Sequence, residues 1–358
     1  MLPISVCIIA KNEEQYIGEC LNRLIKYDWE IVVVDTGSTD QTICIAQTFT
    51  SNVFLFEWTN NFSAARNYAI TKAHNDFILF VDCDEYLDVS SLTENTILTF
   101  LSLFSPKQIG LVERQNYSST SLNTLQGEEH DIIRDHPARF FHKKYTYYQG
   151  SIHEQLVSRE GAALSFVSLP LLFYHVGYDT NETRALKASR NITMLKHALH
   201  MNESDPYLYF QMGQTYFGIA DYESALPYFE KALSMDINEQ EDYLQTLVES
   251  YGYSLLYLER YETALQLEGV YDLFSKRADF TFLMGLIYMN NSMLQQAIAS
   301  FLQATSTPDY AVKGVNSYKS FYNIGVIYEC TNQIPQALLY YKKCGNYSPA
   351  LKRLSLLK

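Results

Sequence analysis

Phe77-Ile-Leu-Phe-Val-Asp-Cys-Asp-Glu-Tyr-Leu-Asp88 runs from five consecutive apolar residues into four acids within seven positions. An unbroken apolar run of this length reads as a strand buried on both faces, the kind found in parallel sheets covered by helices. Working outward towards the N-terminus, the same grammar repeats. Ile4–Ile9 reads as a first strand, and residues 13–27 place Ile17, Leu21, Leu24 and Ile25 on one helical face. Ile31–Val34 reads as a second strand, which ends in the turn Asp35-Thr36-Gly37-Ser38-Thr39-Asp40 before another helix. Residues 53–56 read as a third strand, and Ser63 is placed to cap a helix running to Ala73. This alternation predicts an α/β domain in which ligands bind beyond the carboxyl ends of the strands. Asn12, Asp35 and Asp82 fall at three such ends, which points to one site.

Beyond residue 180 the periodicity changes. A glycine is followed twelve residues later by an alanine at Gly213/Ala225, Gly252/Ala264, Gly285/Ala297 and Gly325/Ala337, with starts 39, 33 and 40 residues apart. An aromatic follows the glycine by three at Tyr216, Tyr288 and Tyr328, and Leu255 takes that place in the second copy. Phe229, Phe301 and Tyr341 lie four after the alanine, whereas Glu268 breaks the pattern in the second copy. Small residues let paired helices approach closely and the aromatics fill the gap. The spacing resembles the tetratricopeptide repeat, whose solenoids present a concave surface. The expected division is therefore 1–180 as an α/β domain, 181–204 as a linking helix and 205–358 as an all-α repeat solenoid.

A chain of 358 residues is long enough for two domains. A net charge of −13 argues against a nucleic-acid partner, which would call for a basic face. No apolar stretch reaches about 18 residues, so no transmembrane helix is expected. The first apolar run lacks the basic leader of a secretory signal. The six cysteines form no CxxC pair and read as reduced core residues of a cytoplasmic protein. The aromatic excess, 29 Tyr and 20 Phe, and the edges of a solenoid leave a homodimer open.

A D-x-D tripeptide alone fits a solvated loop as well as a metal site. Three specific alternatives fail on the residues. A calcium loop starting at Asp82 needs an acid or amide fifth, Gly sixth and Glu twelfth, but the chain has Tyr86, Leu87 and Thr93. A phosphatase-type aspartate follows the first strand of its domain, whereas here three strands precede. A dinucleotide site would carry G-x-G-x-x-G where the chain has Ala10-Lys-Asn-Glu-Glu14. What remains is a divalent cation held for a diphosphate: two carboxylates offer hard oxygen ligands to Mg²⁺ or Mn²⁺, and the cation neutralises the leaving group.

Four ordered blocks, "CIIAKNEEQYIGECL", "EIVVVDTGSTDQT", "WTNNFSAARNYAI" and "FILFVDCDEYLD", resemble the nucleotide-sugar-binding half of family 2 glycosyltransferases with the GT-A fold, a Rossmann-like, mixed but mostly parallel sheet. The resemblance covers roughly residues 3–178. It implies inverting transfer of a sugar from a UDP-sugar with a divalent cation. It also implies that the Asn12-Glu13 turn lines the nucleotide pocket, with Ser38 nearby, that Asp35 contacts the base and that Arg66 lies against the nucleotide. The resemblance further implies that Asp82 reaches the ribose or the metal and that Asp84 ligates the metal. Asp35 also fits a turn acid, and Arg66 a helix-surface cation. Glu85 and Asp88 need no ligand role and read as solvated or as shaping the sugar pocket.

Inversion needs one general base. In "YYQGSIHEQL" the resemblance puts that role on Glu154, with His153 as neighbour, metal ligand or alternative base. Asp131 and Asp135 are weaker candidates. His175, ending "LLFYH", matches the family's C-terminal metal histidine, and a nitrogen ligand favours Mn²⁺. Arg139 is placed to bind diphosphate or acceptor, or to cap a strand. "NNFSAARN", "GSIHE" and "YHVGY", continuing into "SRNITMLKHALHMNESDPYLYFQMG", resemble bacterial peptide glycosyltransferases of the sublancin type, which modify Cys or Ser of a bacteriocin. The chain lacks an N-terminal extension associated with that subgroup. Glucosyltransferases of lipopolysaccharide cores and other surface glycans share the catalytic blocks and are the alternative. A repeat scaffold with an inactive transferase domain is a third reading.

Overall fold

The structure, a computed structural model, describes residues 2–90, 92–117, 132–177, 181–239 and 241–357. The chain divides into two compact units, one built from Met1–Tyr117 and Arg134–Tyr178, the other containing the helices that follow Asp179.

The strands are, in chain order, β1 (Ile4–Ala10), β2 (Glu30–Asp35), β3 (Val53–Leu55), β4 (Phe77–Phe80), β5 (Glu85–Leu87), β6 (Gln108–Tyr117), β7 (Ile132–Asp135), β8 (Ala138–His142), β9 (Thr146–Gln149), β10 (Gln155–Ser158) and β11 (Ser165–His175), all in the first unit except the first two residues of β7. The helices of the first unit are α1 (Ile17–Leu24), α2 (Thr42–Gln47), α3 (Phe62–Lys72) and α4 (Glu94–Leu103). One sheet runs β3-β2-β1-β4-β8-β6-β11-β5, with β7 on β6, while β9 and β10 form a separate hairpin pair. β3, β2, β1 and β4 are parallel, β8 is antiparallel to both its neighbours, β11 is parallel to β6 and β5 antiparallel to β11. This is a mixed sheet of GT-A type.

The apolar strand runs follow from burial on both faces. Ile4, Val6, Ile8, Ile31, Val33 and Leu79 pack with α1 residues Ile17, Leu21 and Leu24, while Cys7, Val32, Val34, Ile78 and Phe80 pack with Ala69 and Ile70 of α3. Alternate residues serve opposite faces, so no position in these strands is left for a polar side chain. The exceptions lie near strand ends: Asp35 closes β2, and Ser5 donates to buried Glu30, which opens β2 and also accepts from the backbone N–H of His74 at 2.8 Å. That pairing ties the starts of β1, β2 and β4 together, at the end of the sheet away from Asp82.

Two local expectations change. Ile25 is 48% exposed, because α1 ends at Leu24 and the chain turns before the helical face is completed. Asn61, not Ser63, caps α3: its Oδ1 accepts from Ala64 N at 2.9 Å, and Ser63 lies inside the helix donating to the same oxygen at 2.8 Å.

The helices of the second unit start with α5 (Asn181–Met201) and continue in pairs. These are α6 (Pro206–Gly218) with α7 (Tyr222–Leu233), α8 (Tyr243–Tyr257) with a broken partner, α11 (Ala278–Asn290) with α12 (Leu294–Ser306), and α13 (Tyr318–Cys330) with α14 (Ile334–Lys343), followed by α15 (Ser348–Leu356). The broken partner is α9 (Tyr261–Ala264), a 3-10 segment at Leu265–Val270 and α10 (Tyr271–Phe274). The repeat chemistry is visible at the glycines. A Cβ on Gly213, Gly285 or Gly325 would lie 2.4–2.6 Å from Phe229, Phe301 or Tyr341, the aromatic four after the alanine. In the second repeat Leu267 and Leu283 close over Gly252 instead, and the 3-10 segment carries Leu267 inward where Glu268 stands in the aromatic's place. Seven residues after each glycine the turn between the helices is left-handed, at Ala220, Glu259, Ser292 and Asn332, with φ of 57–59°. Among the described residues no helix is long and apolar enough to cross a membrane.

Candidate active site

The carboxyl ends of β1 and β2 are knitted together by polar side chains. Asn12 takes a left-handed φ of 56°, which Asn tolerates, and its Oδ1 accepts from Thr39 N at 2.8 Å. Its own N–H donates to Ser38 Oγ at 2.8 Å, and Glu13 N donates to Thr42 Oγ1 at 2.7 Å. Asp35 is buried; its Oδ1 accepts from Gly37 N and Ser38 N at 2.9 Å each, and its Oδ2 accepts from Ser38 Oγ. The carboxylate thus organises its own turn, the alternative role for an acid in this loop.

β4 ends at Phe80, and a tight turn closed by Glu85 N donating to Asp82 O at 3.0 Å leads into β5. The turn sends the two D-x-D carboxylates to different partners. β5 pairs with β11 in the register His175↔Glu85, and Val176 N donates to Asp84 O. This brings His175 Nε2 to 3.1 Å from Asp84 Oδ2. Gly177 keeps the place open: a Cβ there would lie 2.9 Å from Asp84 Oδ2 and 3.2 Å from His175 Nε2. Burial disfavours the His175 imidazolium, but the hydrogen bond and charge of Asp84 outweigh it and raise the histidine above its ordinary 6.5.

Asp82 faces the other way. Its Oδ1 accepts from Arg66 Nη2 at 3.1 Å and its Oδ2 from Arg139 Nη2 at 2.5 Å. Burial alone would raise the Asp82 carboxyl, but Arg139 and then Arg66 overcome it and hold the group far below the usual carboxylate range. Arg66 reaches here because α3 packs it over Phe80, with its guanidinium carbon 4.4 Å from the ring centroid and 5.3 Å from that of Tyr148. Its Nε donates to Glu154. Glu154 follows the left-handed Gly150 and His153, with φ of 102° and 49°, and Ser151 O in the same loop accepts from Phe62 N at the start of α3. Asn67, one residue after Arg66, clamps both backbone groups of Tyr148 at 2.8 and 3.0 Å.

Of the two readings for Glu85, the solvated one is overturned. Glu85 is 2% exposed, and its Oε1 accepts from Arg139 Nη2 at 2.6 Å and Arg114 Nη1 at 2.8 Å. Arg114 in turn grips Asp135 through Nε at 2.9 Å and Nη2 at 2.5 Å, so Asp135 is an ion-pair partner. Asp88 accepts from Ser90 N at 2.9 Å in a turn. Asp131 lies outside the described residues. Local sequence gave no signal for Glu85 or Arg114, since neither apolar pattern nor motif marks which acids a distant arginine will bury.

An implied divalent cation fits this chemistry in part. Asp84 and His175 supply one oxygen and one nitrogen donor around a gap that a Cβ would fill. Asp82 is paired instead with two guanidiniums, those of Arg66 and Arg139. Among the described residues no group of three or more His, Cys, Asp or Glu stands ready to hold a metal ion. A cation here would draw its remaining ligands from diphosphate and water, as Mg²⁺ usually does.

A mixed sheet with a D-x-D turn at the carboxyl end of β4 defines a GT-A-type domain, here joined to helical repeats. Residues 5–94 match the family model for glycosyl transferase family 2, and residues 206–238 match a tetratricopeptide repeat. The chain therefore carries a family 2 glycosyltransferase domain ahead of tetratricopeptide repeats. A TPR repeat-containing protein of Synechococcus elongatus is 32% identical over 146 residues, 38% of this chain and 36% of its own. The SPbeta prophage-derived glycosyltransferase SunS of Bacillus subtilis is 27% identical over 254 residues, 69% of this chain and 57% of its own. The lipopolysaccharide core biosynthesis glycosyltransferase LpsC of Rhizobium meliloti is 29% identical over 202 residues, 53% of this chain and 72% of its own. The chain thus spans 36% and 57% of the lengths of the first two relatives.

Proposed function

We propose that this protein transfers a sugar, with inversion, from a UDP-sugar to a Cys or Ser of a peptide held with help from the repeats. Residues 1–180 would form the catalytic domain, 181–204 the linking helix and 205–358 the repeat domain. The observation that carries the reading is the D-x-D turn, inside the segment that matches the family 2 model, with His175, which lies beyond that segment, beside Asp84. The peptide acceptor rests on the resemblance of "NNFSAARN", "GSIHE" and "YHVGY" to peptide glycosyltransferases of the sublancin type, and the likeness to the glycosyltransferase SunS extends over 69% of the chain.

In this reading Asn12, Glu13, Asp35 and Ser38 line the nucleotide side. Asp84 and His175 hold Mn²⁺ or Mg²⁺, and Asp82 reaches the ribose or the metal. The cation, when bound, supplies Lewis-acid neutralisation of the diphosphate leaving group. Arg66 and Arg139 offset further diphosphate charge. Glu154, oriented by Arg66, accepts the acceptor's proton on the face opposite the leaving group, with His153 beside it. A second reading, transfer to a cell-surface glycan, is favoured by the likeness to LpsC.

The test is to incubate the full chain with a panel of UDP-sugars, Mn²⁺ or Mg²⁺, and peptide and glycan acceptors, and to read the products by mass spectrometry. The expected result is UDP release that requires a divalent ion, with a one-sugar mass gain on peptide. Gain on glycan alone would select the second reading. No UDP release from any sugar would leave a repeat scaffold with an inactive domain.

A further inference from the structure

The ion pairs beside Asp82 form a chain of alternating charge: Asp135, Arg114, Glu85, Arg139, Asp82. Two of its links share single atoms. Arg139 Nη2 donates to both Asp82 Oδ2, at 2.5 Å, and Glu85 Oε1, at 2.6 Å. Glu85 Oε1 accepts from both Arg139 Nη2 and, at 2.8 Å, Arg114 Nη1. Nη2 has one N–H for each carboxylate and Oε1 one lone pair for each guanidinium, so each side chain sits where two partners pull it, and losing one partner lets it settle on the other. Glu85 and Arg139 are 2% and 7% exposed, so water cannot substitute for a lost partner.

We propose that Glu85, Arg114 and Asp135 are positioning residues that set how firmly Arg139 grips Asp82, and through it how readily the donor site takes up a divalent cation with its nucleotide. The inference rests on the glycosyltransferase reading of the site. Its physical content is a rule of parity. Removing the charge of Glu85 leaves Arg139 wholly to Asp82, so Asp82 is less available. Removing Arg114 leaves Arg139 as the remaining guanidinium on Glu85, whose Oε2 accepts from Asp82 N at 3.3 Å, so Arg139 shifts towards Glu85 and eases off the Asp82 carboxylate. Removing the charge of Asp135 returns Arg114 wholly to Glu85, loosens Glu85 from Arg139 and tightens Arg139 on Asp82 again. A purely structural role has no such alternation, since each loss of an ion pair would weaken binding alike. A direct charge effect, which gives the same signs, is separated by Arg114→Lys, which keeps the charge but gives up one of the two grips and so should strengthen binding as Arg114→Met does, whereas a direct charge effect would leave binding unchanged.

The measurement is binding of Mn²⁺ and UDP together to the full chain, by calorimetry and by the electron paramagnetic resonance of free Mn²⁺, with folding checked by circular dichroism. Glu85→Gln and Asp135→Asn should weaken Mn²⁺ binding, Glu85→Gln by about tenfold and Asp135→Asn by less, and Arg114→Met should strengthen it by about threefold. Asp135 is 40% exposed at its side chain, so Asp135→Asn keeps the sign test available if a substitution at the buried Glu85 does not fold. Weakening by all three variants, or no change in any, would overturn the inference while leaving the donor-site reading intact. Failure of the unsubstituted chain to bind Mn²⁺ with UDP would overturn that reading and the inference with it.

Discussion

Asp82 and Asp84 are two residues apart, yet one is held by Arg66 and Arg139 and the other by His175. That separation leads to two expectations. A metal at Asp84 and His175 must displace the imidazole proton, which Asp84 holds above its ordinary 6.5. Mn²⁺ affinity should therefore fall as pH drops through a value above 6.5, and His175→Gln should flatten that dependence in a titration of Mn²⁺ binding. Glu154→Gln removes the proposed base, so kcat for transfer should fall by about 10²–10⁴-fold. The same change frees Arg66 to hold Asp82 harder, so the donor Kd should rise by no more than about tenfold. Loss of donor binding with unchanged kcat would refute the assignment of Glu154. The D-x-D and Glu154 were legible in the sequence as candidates. Their partners were not, because Arg66 is 16 residues from Asp82 and 88 from Glu154, and only packing joins them.

At the scale of elements, strands and repeats were legible because their period is written in consecutive residues. Boundaries and caps were less so: Asn61 and Ser63 are both good capping residues, and the choice depends on which backbone N–H the turn presents. The repeat glycines allow a graded prediction. Gly285→Ala would put a Cβ 2.6 Å from the ring of fully buried Phe301, whereas at Gly252 the nearest atoms are the ends of Leu283 and Leu267, 2.7 and 2.8 Å away. Alanine otherwise favours a helix by about 1 kcal/mol. Gly285→Ala should cost about 1–3 kcal/mol in thermal unfolding, and Gly252→Ala less, since leucine termini swing aside more easily than a ring. Equal losses would show that the ring is not the obstacle.

At the scale of the molecule, two compact units suggest separable tasks. Deleting residues 205–358 should abolish transfer to peptide while leaving UDP binding, measured by calorimetry. Undiminished peptide transfer by the shortened chain would remove the repeats from acceptor recognition.

Sequence alone determined the two kinds of architecture, since a parallel sheet buried on both faces and a solenoid of close-packed helices each impose a short-range pattern on the chain. It also marked the acids at the strand ends. Tertiary structure alone decided which acids are buried with which arginines. It made Glu85 the shared acceptor of Arg114 and Arg139, turned Asp35 back on its own loop and set Asp84 against His175. The physical reason is range: hydrophobic periodicity is fixed by backbone geometry over a few residues, whereas a buried charge takes whatever opposite charge the fold brings within about 3 Å, however distant in the chain.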